Sequence, residues 1–300
     1  MSDGVLIINK ERGFTSFDVC AAVRKRIFET KKIKIKVGHT GTLDPEAKGV
    51  LVLCLGKATR LAPFIAGDYG DFYCAKEYEA QLIIGTGSAT DDIHGEITQR
   101  DERVFSKSEI ALAAASFADG YEQEPPIFSA KKIKGRKLYK IARSGVLPSE
   151  IKSQWVNIRS LNIYFDASIK LGIECGAGTY IRSLCRDIGQ KLGSCAVMGD
   201  LTRTRSGRFS LKDAAYLSEV LENINERIIT PQEALPLSEL NITPREKYLS
   251  GAPINICDVT GNYKELENHK LFWININNKT LGLYRFLEGE LKTEVFFGKD

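Results

Sequence analysis

The chain has few of the residues from which metal centres and disulfide frameworks are built. It contains three histidines, at positions 39, 94 and 269, and seven cysteines that form no Cys-x-x-Cys pair. An odd number of cysteines, mostly in apolar surroundings and without paired spacing, indicates reduced packing residues rather than disulfides or zinc ligands. We therefore expect no structural metal.

The chain also lacks long hydrophobic segments and an export signal. Its apolar run from Val50 to Leu55 is far too short to cross a bilayer. The amino terminus does not combine a basic segment with the apolar core of a signal peptide. With 43% hydrophobic residues, 300 residues can bury one large core or two of unequal size. These features predict a globular protein of the cytoplasm that does not associate with membranes.

The fingerprints of nucleotide-dependent and serine-dependent enzymes are missing as well. We find no Walker phosphate loop, no Gly-x-Gly-x-x-Gly turn after a strand, and no serine elbow. Any catalysis must therefore rely on carboxylate, tyrosine and arginine side chains without a cofactor.

Positive charge is concentrated in the first two thirds of the chain. Residues 1–212 carry 33 Lys and Arg against 24 Asp and Glu, whereas residues 213–300 carry 9 against 14. Three basic runs, at 24–36, 131–143 and 203–208, belong to the basic part. A single basic run is usually a solvated face, but the second also contains a tyrosine and suits a nucleic-acid clamp. The basic part is predicted to face a polyanion.

Hydrophobic periodicity predicts several strands. The apolar segment 49–56, bounded by glycines, is typical of a strand buried on both faces. Residues 77–82 alternate like a strand with one wet face, and Tyr78 lies on its apolar side. Three short strands between residues 271 and 297, joined by Asn-Asn and Glu-Gly turns, suggest a small β-barrel.

Capping signals predict helices between these strands. Thr15 or the serine after it can cap a helix that runs to about residue 28. Ser106 opens an alanine-rich helix with a capping box, and that helix should end near residue 120. Thr179 can cap a third helix, in which Arg182 lies off the apolar stripe.

The turn before the buried strand contains a carboxylate in a restrained backbone. Pro45 restricts its own φ and pushes Asp44 toward an extended conformation, while Gly38 and Gly41 allow geometries closed to other residues. Such a turn can orient one side chain reproducibly. Asp-Pro is also ordinary surface-turn chemistry, so the turn alone leaves both interpretations open.

Six blocks of residues, in order along the chain, resemble the TruB family of tRNA pseudouridine synthases. They cover most of residues 4–209, and the second block is specific to that family. The blocks are GVLIINK (4 to 10) with GFTS (13 to 16), GHTGTLDPEAKGVLVLCLGKATR (38 to 60), KEYEAQLIIGTGSATDDIHG (76 to 95), PPIFSAKKIKGRKLYKIARSG (125 to 145), GTYIRSLCRDIGQKLG (178 to 193) and LTRTRSGRF (201 to 209).

The resemblance implies an α+β fold in two parts. Residues 1–235 would form the catalytic domain, with a mixed, largely antiparallel central sheet flanked by helices and an RNA-clamping insertion at about 120–152. Residues 236–300 would form a PUA-like β-barrel that binds RNA. The implied reaction is isomerisation of uridine 55 in the T-arm of tRNA, without a cofactor or a required metal. Because this base lies inside a folded loop, it must be flipped out of its stack.

The resemblance also implies the catalytic residues. Asp44 matches the essential aspartate, and a carboxylate that attacks the sugar or the base must be ionised. Arg182 matches the arginine that pairs with it, although on its residue type alone Arg182 could equally be a solvated helix-face residue. Tyr78 matches the tyrosine placed against the base, where it stacks and can assist removal of the C5 proton. On its own Tyr78 would be read as a core residue.

Further positions match residues around the target nucleotide and the RNA backbone. His39 matches a histidine beside the extruded base, Tyr180 and Leu201 match the lining of the uracil pocket, and Lys10 matches a lysine that supports the site. Within the insertion, the phosphate-contact candidates are Lys131, Lys132 and Arg143. The chain departs from the family at Glu11, where proline is usual, and at Thr202, where arginine is common.

Three other functions compete with this interpretation. The chain could be a tRNA-binding or tRNA-folding protein in which catalysis is incidental, or a related synthase that acts on ribosomal RNA with guide RNA and protein partners. A metal-dependent nuclease built on Asp91, Asp92 and His94 lacks the expected ligand constellation. The extended tails of the guide-dependent relatives are not evident, so we expect a stand-alone bacterial-type enzyme. It should be a monomer with tRNA as its partner and no obligatory protein partner.

Overall fold

A computed structural model of the chain describes most of its residues. The described ranges are 3–66, 75–129, 131–133, 135–143, 151–260 and 266–298. The strands are β1 (Gly4–Lys10), β2 (Val37–His39), β3 (Lys48–Leu55), β4 (Lys76–Ile84), β5 (Thr86–Ser88), β6 (Ile97–Arg100), β7 (Tyr121–Gln123), β8 (Lys132–Ile133), β9 (Arg136–Lys137), β10 (Gln154–Val156), β11 (Ile158–Phe165), β12 (Ile169–Cys175), β13 (Ala196–Ser206), β14 (Phe209–Ser210), β15 (Ala215–Tyr216), β16 (Glu239–Ile242), β17 (Ile254–Asn255), β18 (Val259–Thr260), β19 (Leu271–Ile276), β20 (Lys279–Leu287) and β21 (Glu290–Phe296).

Helices connect and cover these strands. The α-helices are α1 (Ser16–Lys31), α2 (Ala62–Ala66), α3 (Lys107–Ala115), α4 (Leu138–Arg143), α5 (Ile181–Lys191), α6 (Leu217–Glu222), α7 (Ile224–Arg227) and α8 (Pro231–Ala234). Short 3₁₀ segments are Gly56–Leu61, Leu211–Asp213, Glu246–Ser250 and Ile256–Asp258. No helix among the described residues is long and apolar enough to cross a membrane.

The central sheet is mixed and largely antiparallel, as the family resemblance implied. Its strands follow the order β11-β12-β4-β13-β3-β1-β15, with β2 paired to β3 and β14 paired to β13. The parallel pairs are β13 with β3 and β1 with β15. Thus the strand that follows the Asp-Pro turn lies in the middle of the sheet, between β1 and β13.

The strand β3 is buried on both faces because its alternate residues enter two different cores. Leu51, Leu53 and Leu55 belong to one cluster, and Val50 and Val52 belong to another. Side chains alternate across a strand, so an unbroken apolar run requires cover on both sides. The first core is covered by helices, namely α1, α3, α5 and α6. The prediction of a doubly buried strand is confirmed.

The carboxy-terminal residues form a second, barrel-like sheet with its own core. Its strand order is β17-β21-β20-β19-β16-β18, and the predicted strands β19, β20 and β21 lie at its centre. The inner face of this sheet encloses one core, whereas Trp273, Leu283 and Val295 enter the second core of the central sheet. The two sheets therefore share a hydrophobic interface.

Helix boundaries differ from the sequence prediction at a few ends. Thr15 caps α1 through a complete capping box with Asp18, but the helix continues to Lys31 and ends with Lys32 at a φ of 56°. The box at Ser106 is also present, while α3 ends at Ala115 rather than near residue 120. After Ala115 the chain continues in tighter turns, with the Phe117 N–H bound to the Ala114 carbonyl oxygen and the Gly120 N–H to that of Phe117, so the helix ends before Gly120.

The described cysteines are free thiols, as their spacing predicted. Cys257 is exposed, whereas positions 20, 54, 175, 185 and 195 are buried. Burial raises the pKa of Cys20 and of Cys175 to about 11, because a thiolate is poorly solvated there. These thiols pack as small apolar groups, and position 74 lies outside the described residues.

Removing the Trp273 side chain is expected to destabilise both sheets together. Trp273 is fully buried in the shared interface, and its Nε1 donates a hydrogen bond to the carbonyl oxygen of Leu235 at 2.7 Å. Trp273→Ala should cost about 3–5 kcal/mol of unfolding free energy in urea denaturation, as a single transition. Trp155→Ala, at a site 63% exposed, should cost below about 1 kcal/mol. Two separated transitions in the first variant would contradict a shared interface.

Candidate active site

The Asp44 turn connects two neighbouring antiparallel strands, β2 and β3. Its backbone is held by the first residue of α1. The Ser16 hydroxyl donates to the Leu43 carbonyl oxygen at 3.0 Å and accepts from the Leu43 N–H at 2.8 Å. Both polar groups of the residue before Asp44 are thus occupied, so the backbone that carries Asp44 is held on this side.

Lys10 holds the other side of the same turn. Its Nζ donates to the carbonyl oxygens of Pro45 at 3.0 Å, Glu11 at 2.9 Å and Phe14 at 2.8 Å. Lys10 is fully buried at the end of β1, where a charge is costly unless it is hydrogen-bonded. The ammonium group therefore links β1, the start of α1 and the Asp-Pro turn.

Arg203 is a third anchor of the turn, and the sequence analysis missed this role. Its guanidinium donates to the carbonyl oxygens of Val50 at 2.7 Å, Gly41 at 3.1 Å and Thr42 at 3.3 Å. The close contact of β3 with β13 needs glycine at Gly49, whose φ is +110° and whose added Cβ would lie 2.2 Å from the Arg203 carbonyl oxygen.

Most of the basic run 203–208 therefore does not form the RNA-facing patch that its composition suggested, and of its three arginines only Arg208 is exposed. Arg203 is completely buried, and Arg205 forms ion pairs with Glu77 at 2.7 Å and Glu174 at 3.4 Å. The signal for burial was the two-residue period of a strand, since Arg203 shares a face of β13 with the buried Leu201.

Arg182 lies in the first turn of α5 and binds Asp44 with two nitrogens. Its Nε is 2.9 Å from Asp44 Oδ2, and an Nη donates to Oδ1 at 3.3 Å. The other donors bind the carbonyl oxygens of Thr90 at 2.9 Å and Phe128 at 3.1 Å. The Arg182 side chain is 6% exposed, against 39% for Asp44. The solvated helix-face alternative is therefore wrong for Arg182.

The helix that positions Arg182 starts one residue later than the sequence suggested. Its N-cap is Tyr180, whereas the hydroxyl of Thr179 donates to the carbonyl oxygen of Gly176 at 3.1 Å. Arg182 is thereby the second residue of α5, directed inward with the buried side chains of the helix rather than away from them.

Lys10, Tyr78 and Tyr180 all lie close enough to Asp44 for its negative charge to raise their pKa values. For both tyrosines burial is the larger cause, and it raises the pKa in the same direction. Tyr78 is buried on β4, directly opposite Arg203 on β13, and the positive charge of that guanidinium acts to lower the Tyr78 pKa. The structure thus gathers these predicted residues around one carboxylate.

Two more predicted site residues, Leu201 and His39, lie on strands next to the Asp44 turn. Leu201 is buried on β13 opposite Ala80 and belongs to the core cluster that contains Tyr78 and Leu43. His39 ends β2, paired with Leu53 and five residues before Asp44 in the chain. The sheet therefore brings strands from both halves of the domain to the Asp44 turn.

The carboxylates of the nuclease hypothesis are engaged elsewhere. Asp91 binds Arg186 at 2.9 Å, and Asp92 accepts from the Thr90 hydroxyl at 2.8 Å and from the His94 backbone N–H at 3.0 Å. In the described part of the chain, His, Cys, Asp and Glu side chains form no group of three or more suited to a metal ion. Through its ion pair with Arg186, Asp91 stabilises the position of α5.

Raising the pH above about 8 is expected to lower the activity of this site. Burial lowers the pKa of Lys10 to about 8, against an attraction to Asp44 that raises it. The neutral amine keeps two N–H groups for three carbonyls, so the turn loosens. Between pH 8 and 10.5, Lys10 is still protonated in the unfolded chain but neutral in the folded protein. Its titration therefore raises the free energy of unfolding as the pH rises, and the expected loss of activity does not come from unfolding.

A pH–rate profile measures this effect. Lys10→Arg should move the alkaline limb to higher pH, since a guanidinium stays charged. The matched variant Lys48→Arg, at an exposed residue of the neighbouring strand, should leave it near pH 8. An unchanged limb in Lys10→Arg would exclude Lys10 as its origin.

Comparison with known proteins places this geometry in a family. Residues 25–181 match the TruB family pseudouridylate synthase N-terminal domain, and residues 182–247 match the tRNA pseudouridylate synthase B C-terminal domain. The tRNA pseudouridine synthase B of Alkaliphilus oremlandii is 41% identical over 265 residues, which are 87% of this chain and 84% of that protein. The synthase of Clostridium acetobutylicum is 38% identical over 300 residues, covering 98% and 97%.

The fold also has a counterpart among solved structures. A chain of an H/ACA RNP bound to a substrate RNA containing 2′-deoxyuridine superposes with a TM-score of 0.67 at 21% identity, covering 99% of this chain and 85% of that one. At that identity the similarity concerns the fold alone. On the family match and the identity to its relatives, the chain belongs to the TruB family of tRNA pseudouridine synthases, which isomerise uridine in tRNA.

Proposed function

We propose that this protein converts uridine 55 in the T-arm of tRNA to pseudouridine, with the uracil flipped out of its stack and Asp44 as the essential carboxylate. The observation that carries the proposal is the bidentate pair of Arg182 and Asp44. The buried cation fixes the carboxylate in one orientation, while 39% of the Asp44 side chain remains exposed to a substrate. A catalytic nucleophile needs both orientation and access.

The residues divide the reaction between them. In the isomerisation the N1–C1′ bond of uridine breaks, a C5–C1′ bond forms, the C5 proton is released and N1 takes up a proton. Asp44 would attack C1′ of the ribose or C6 of the base, and both routes use an ionised carboxylate. Arg182 would stabilise that negative charge before the attack and again when the carboxylate is released.

Tyr78 is proposed to stack on the uracil. Its burial raises the pKa of the phenol, so the phenolate needed to remove the C5 proton is disfavoured, although the nearby Arg203 acts in the opposite direction. Tyr180 and Leu201 would line the pocket beside it, and His39 would occupy space near the extruded nucleotide.

The proposed domains assign RNA contacts to the basic part of the chain. Residues 1–235 would form the catalytic domain, with an RNA-clamping insertion at about 120–152, and residues 236–300 would form the PUA-like domain. Lys131 already donates two hydrogen bonds, to the Lys152 carbonyl oxygen at 2.9 Å and to Gln154 Oε1 at 3.2 Å. An ammonium has three N–H donors, so a phosphate contact is compatible with both.

Other parts of the insertion are described only in part. Lys132 lies in β8 and Arg143 ends α4, and their phosphate contacts stay a prediction. Residues 130, 134 and 144–150 of the insertion lie outside the described ranges. Since tRNA is the proposed partner, we infer a cytoplasmic monomer that needs no protein partner.

The test is release of tritium from a tRNA transcript labelled at C5 of uridine. Isomerisation leaves the mass of the base unchanged but exchanges the hydrogen at C5. The wild-type protein should release label from a T-arm stem-loop, and replacing uridine 55 by cytidine should abolish release. Label lost from another uridine would reject position 55, and no release at all would reject the enzyme.

A further inference from the structure

Two glutamines bracket the insertion where it leaves the catalytic domain. Gln123 ends β7 and Gln154 begins β10, and the two residues are direct partners in the antiparallel pairing of these strands. Every residue of 124–153 therefore lies between them in the chain. Both side chains turn toward the segment that precedes α5.

Gln123 binds the backbone of Tyr180, the N-cap residue of α5. Its Oε1 accepts from the Tyr180 N–H at 2.8 Å, and its Nε2 donates to the Tyr180 carbonyl oxygen at 3.0 Å. The same Nε2 donates to the Tyr121 hydroxyl at 2.7 Å. Gln123 is fully buried, and both N–H groups and the oxygen of its amide have partners. A buried amide satisfied in this way is rigid, because breaking any one bond leaves a polar group unpaired.

Gln154 binds the chain at Gly178, two residues before Tyr180. Its Nε2 donates to the carbonyl oxygen of Gly178 at 2.9 Å. Gly178 has a φ of +87°, and a Cβ at this position would lie 3.1 Å from the same nitrogen. The two glutamines therefore grip both ends of the segment Gly178–Tyr180, which we name the clasped segment.

The clasped segment sets the position of Arg182. The Tyr180 carbonyl oxygen that binds Gln123 also accepts the first hydrogen bond of α5, from the Leu184 N–H at 3.1 Å. The Tyr180 side chain forms no capping hydrogen bond at this helix end. A shift of Gln123 would thus move the helix start, and with it the guanidinium that lies two residues further along.

We propose that Gln123 and Gln154 are positioning residues for the Arg182–Asp44 pair, acting through the clasped segment. They hold the start of α5 against the base of the insertion, so that the arginine meets the carboxylate in the geometry the reaction needs. This inference rests on the proposed function of Asp44. A displacement of catalytic groups by about 1 Å can lower a rate by roughly a hundredfold.

The proposal predicts a loss in kcat with little change in KM. Gln123→Leu keeps the volume but removes the grip on Tyr180, and kcat for tritium release should fall roughly 10- to 100-fold, with KM within about threefold. Gln154→Met, at a half-exposed residue, should lower kcat by a smaller factor. The control Gln190→Leu, at an exposed residue near the other end of α5, should leave kcat unchanged.

Gln123→Glu supplies a readout that a purely structural role would not produce. The introduced carboxylate can accept from the Tyr180 N–H but opposes the Tyr180 carbonyl oxygen, whereas the protonated carboxyl regains a donor. Relative to wild type, kcat of this variant should therefore rise as the pH is lowered. Burial should raise the pKa of the introduced carboxyl above its usual range, so the rise should begin at a higher pH than for an exposed glutamate.

The outcomes separate the two proposals. An inactive wild-type protein would reject the proposed function itself. An active wild type with unchanged kcat in Gln123→Leu and Gln154→Met would overturn the positioning role, as would a loss confined to KM. Should Gln123→Leu fail to fold, Gln154→Met and the pH profile of Gln123→Glu decide the question, and a flat relative profile would count against the proposal.

Discussion

Replacing Asp44 by asparagine is expected to lower tritium release from labelled tRNA by roughly 10⁴-fold or more. The amide has the same size but is neither a nucleophile nor a negative charge for Arg182. The turn itself should persist, because Ser16, Lys10 and Arg203 hold its backbone rather than the Asp44 side chain. The loss should appear in the single-turnover rate.

The matched control is Asp166→Asn, the same change at an exposed residue in the turn between β11 and β12. It should retain full activity. The affinity of Asp44→Asn for tRNA, measured by filter binding, should remain within about threefold of wild type, since phosphate contacts dominate RNA affinity. Undiminished release by Asp44→Asn would refute the catalytic role, and a protein that binds and folds tRNA without catalysis would then be favoured.

Replacing Arg182 by lysine is expected to lower kcat/KM by about 10²- to 10³-fold. One ammonium cannot reproduce the planar fork that binds both oxygens of Asp44 and the carbonyls of Thr90 and Phe128. The positive charge is kept, so the experiment separates geometry from charge. Tritium release under saturating and limiting tRNA measures it.

Arg186→Lys provides the comparison for this variant. Arg186 lies one turn further along α5 and also binds carboxylates, Asp91 and Asp187, at 2.9 Å each. Arg186→Lys should lower the free energy of unfolding about as much as Arg182→Lys does, while changing kcat/KM by less than about tenfold. If both variants lost activity equally, the effect of Arg182→Lys would reflect the stability of α5 rather than the contact with Asp44.

Much of the fold could be predicted from local patterns. Three kinds of prediction depend on residues near one another in the chain. They are the doubly buried strand β3, the capping boxes at Thr15 and Ser106, and the carboxy-terminal strands β19, β20 and β21. Periodicity and caps report the environment of a segment of about ten residues. The predicted helix ends were less accurate, as the later end of α1 and the N-cap of α5 at Tyr180 rather than Thr179 show.

The candidate site was only partly accessible to the same reasoning. Its proposed catalytic residues came from resemblance to a family, and by residue type alone Arg182 could have been a surface residue and Tyr78 a core residue. Composition assigned Arg203 to an RNA-facing run, yet it is a buried anchor of the Asp44 turn. Gln123 carried no signal, since a glutamine near a strand end is ordinary until its partners are known.

The amino-acid sequence by itself determined the family resemblance, several of the strands and helices, and the restrained turn that bears Asp44, because each is encoded in contiguous residues. It did not reveal the central strand β13, whose last residues were interpreted only as a basic run. Only the tertiary structure decided which side chains meet that carboxylate. Arg182 lies 138 positions from Asp44, and Gln123 lies 57 positions from the backbone that it binds. Contacts at such separations form when the sheet assembles and water is excluded, so their partners and their burial cannot be read from local pattern.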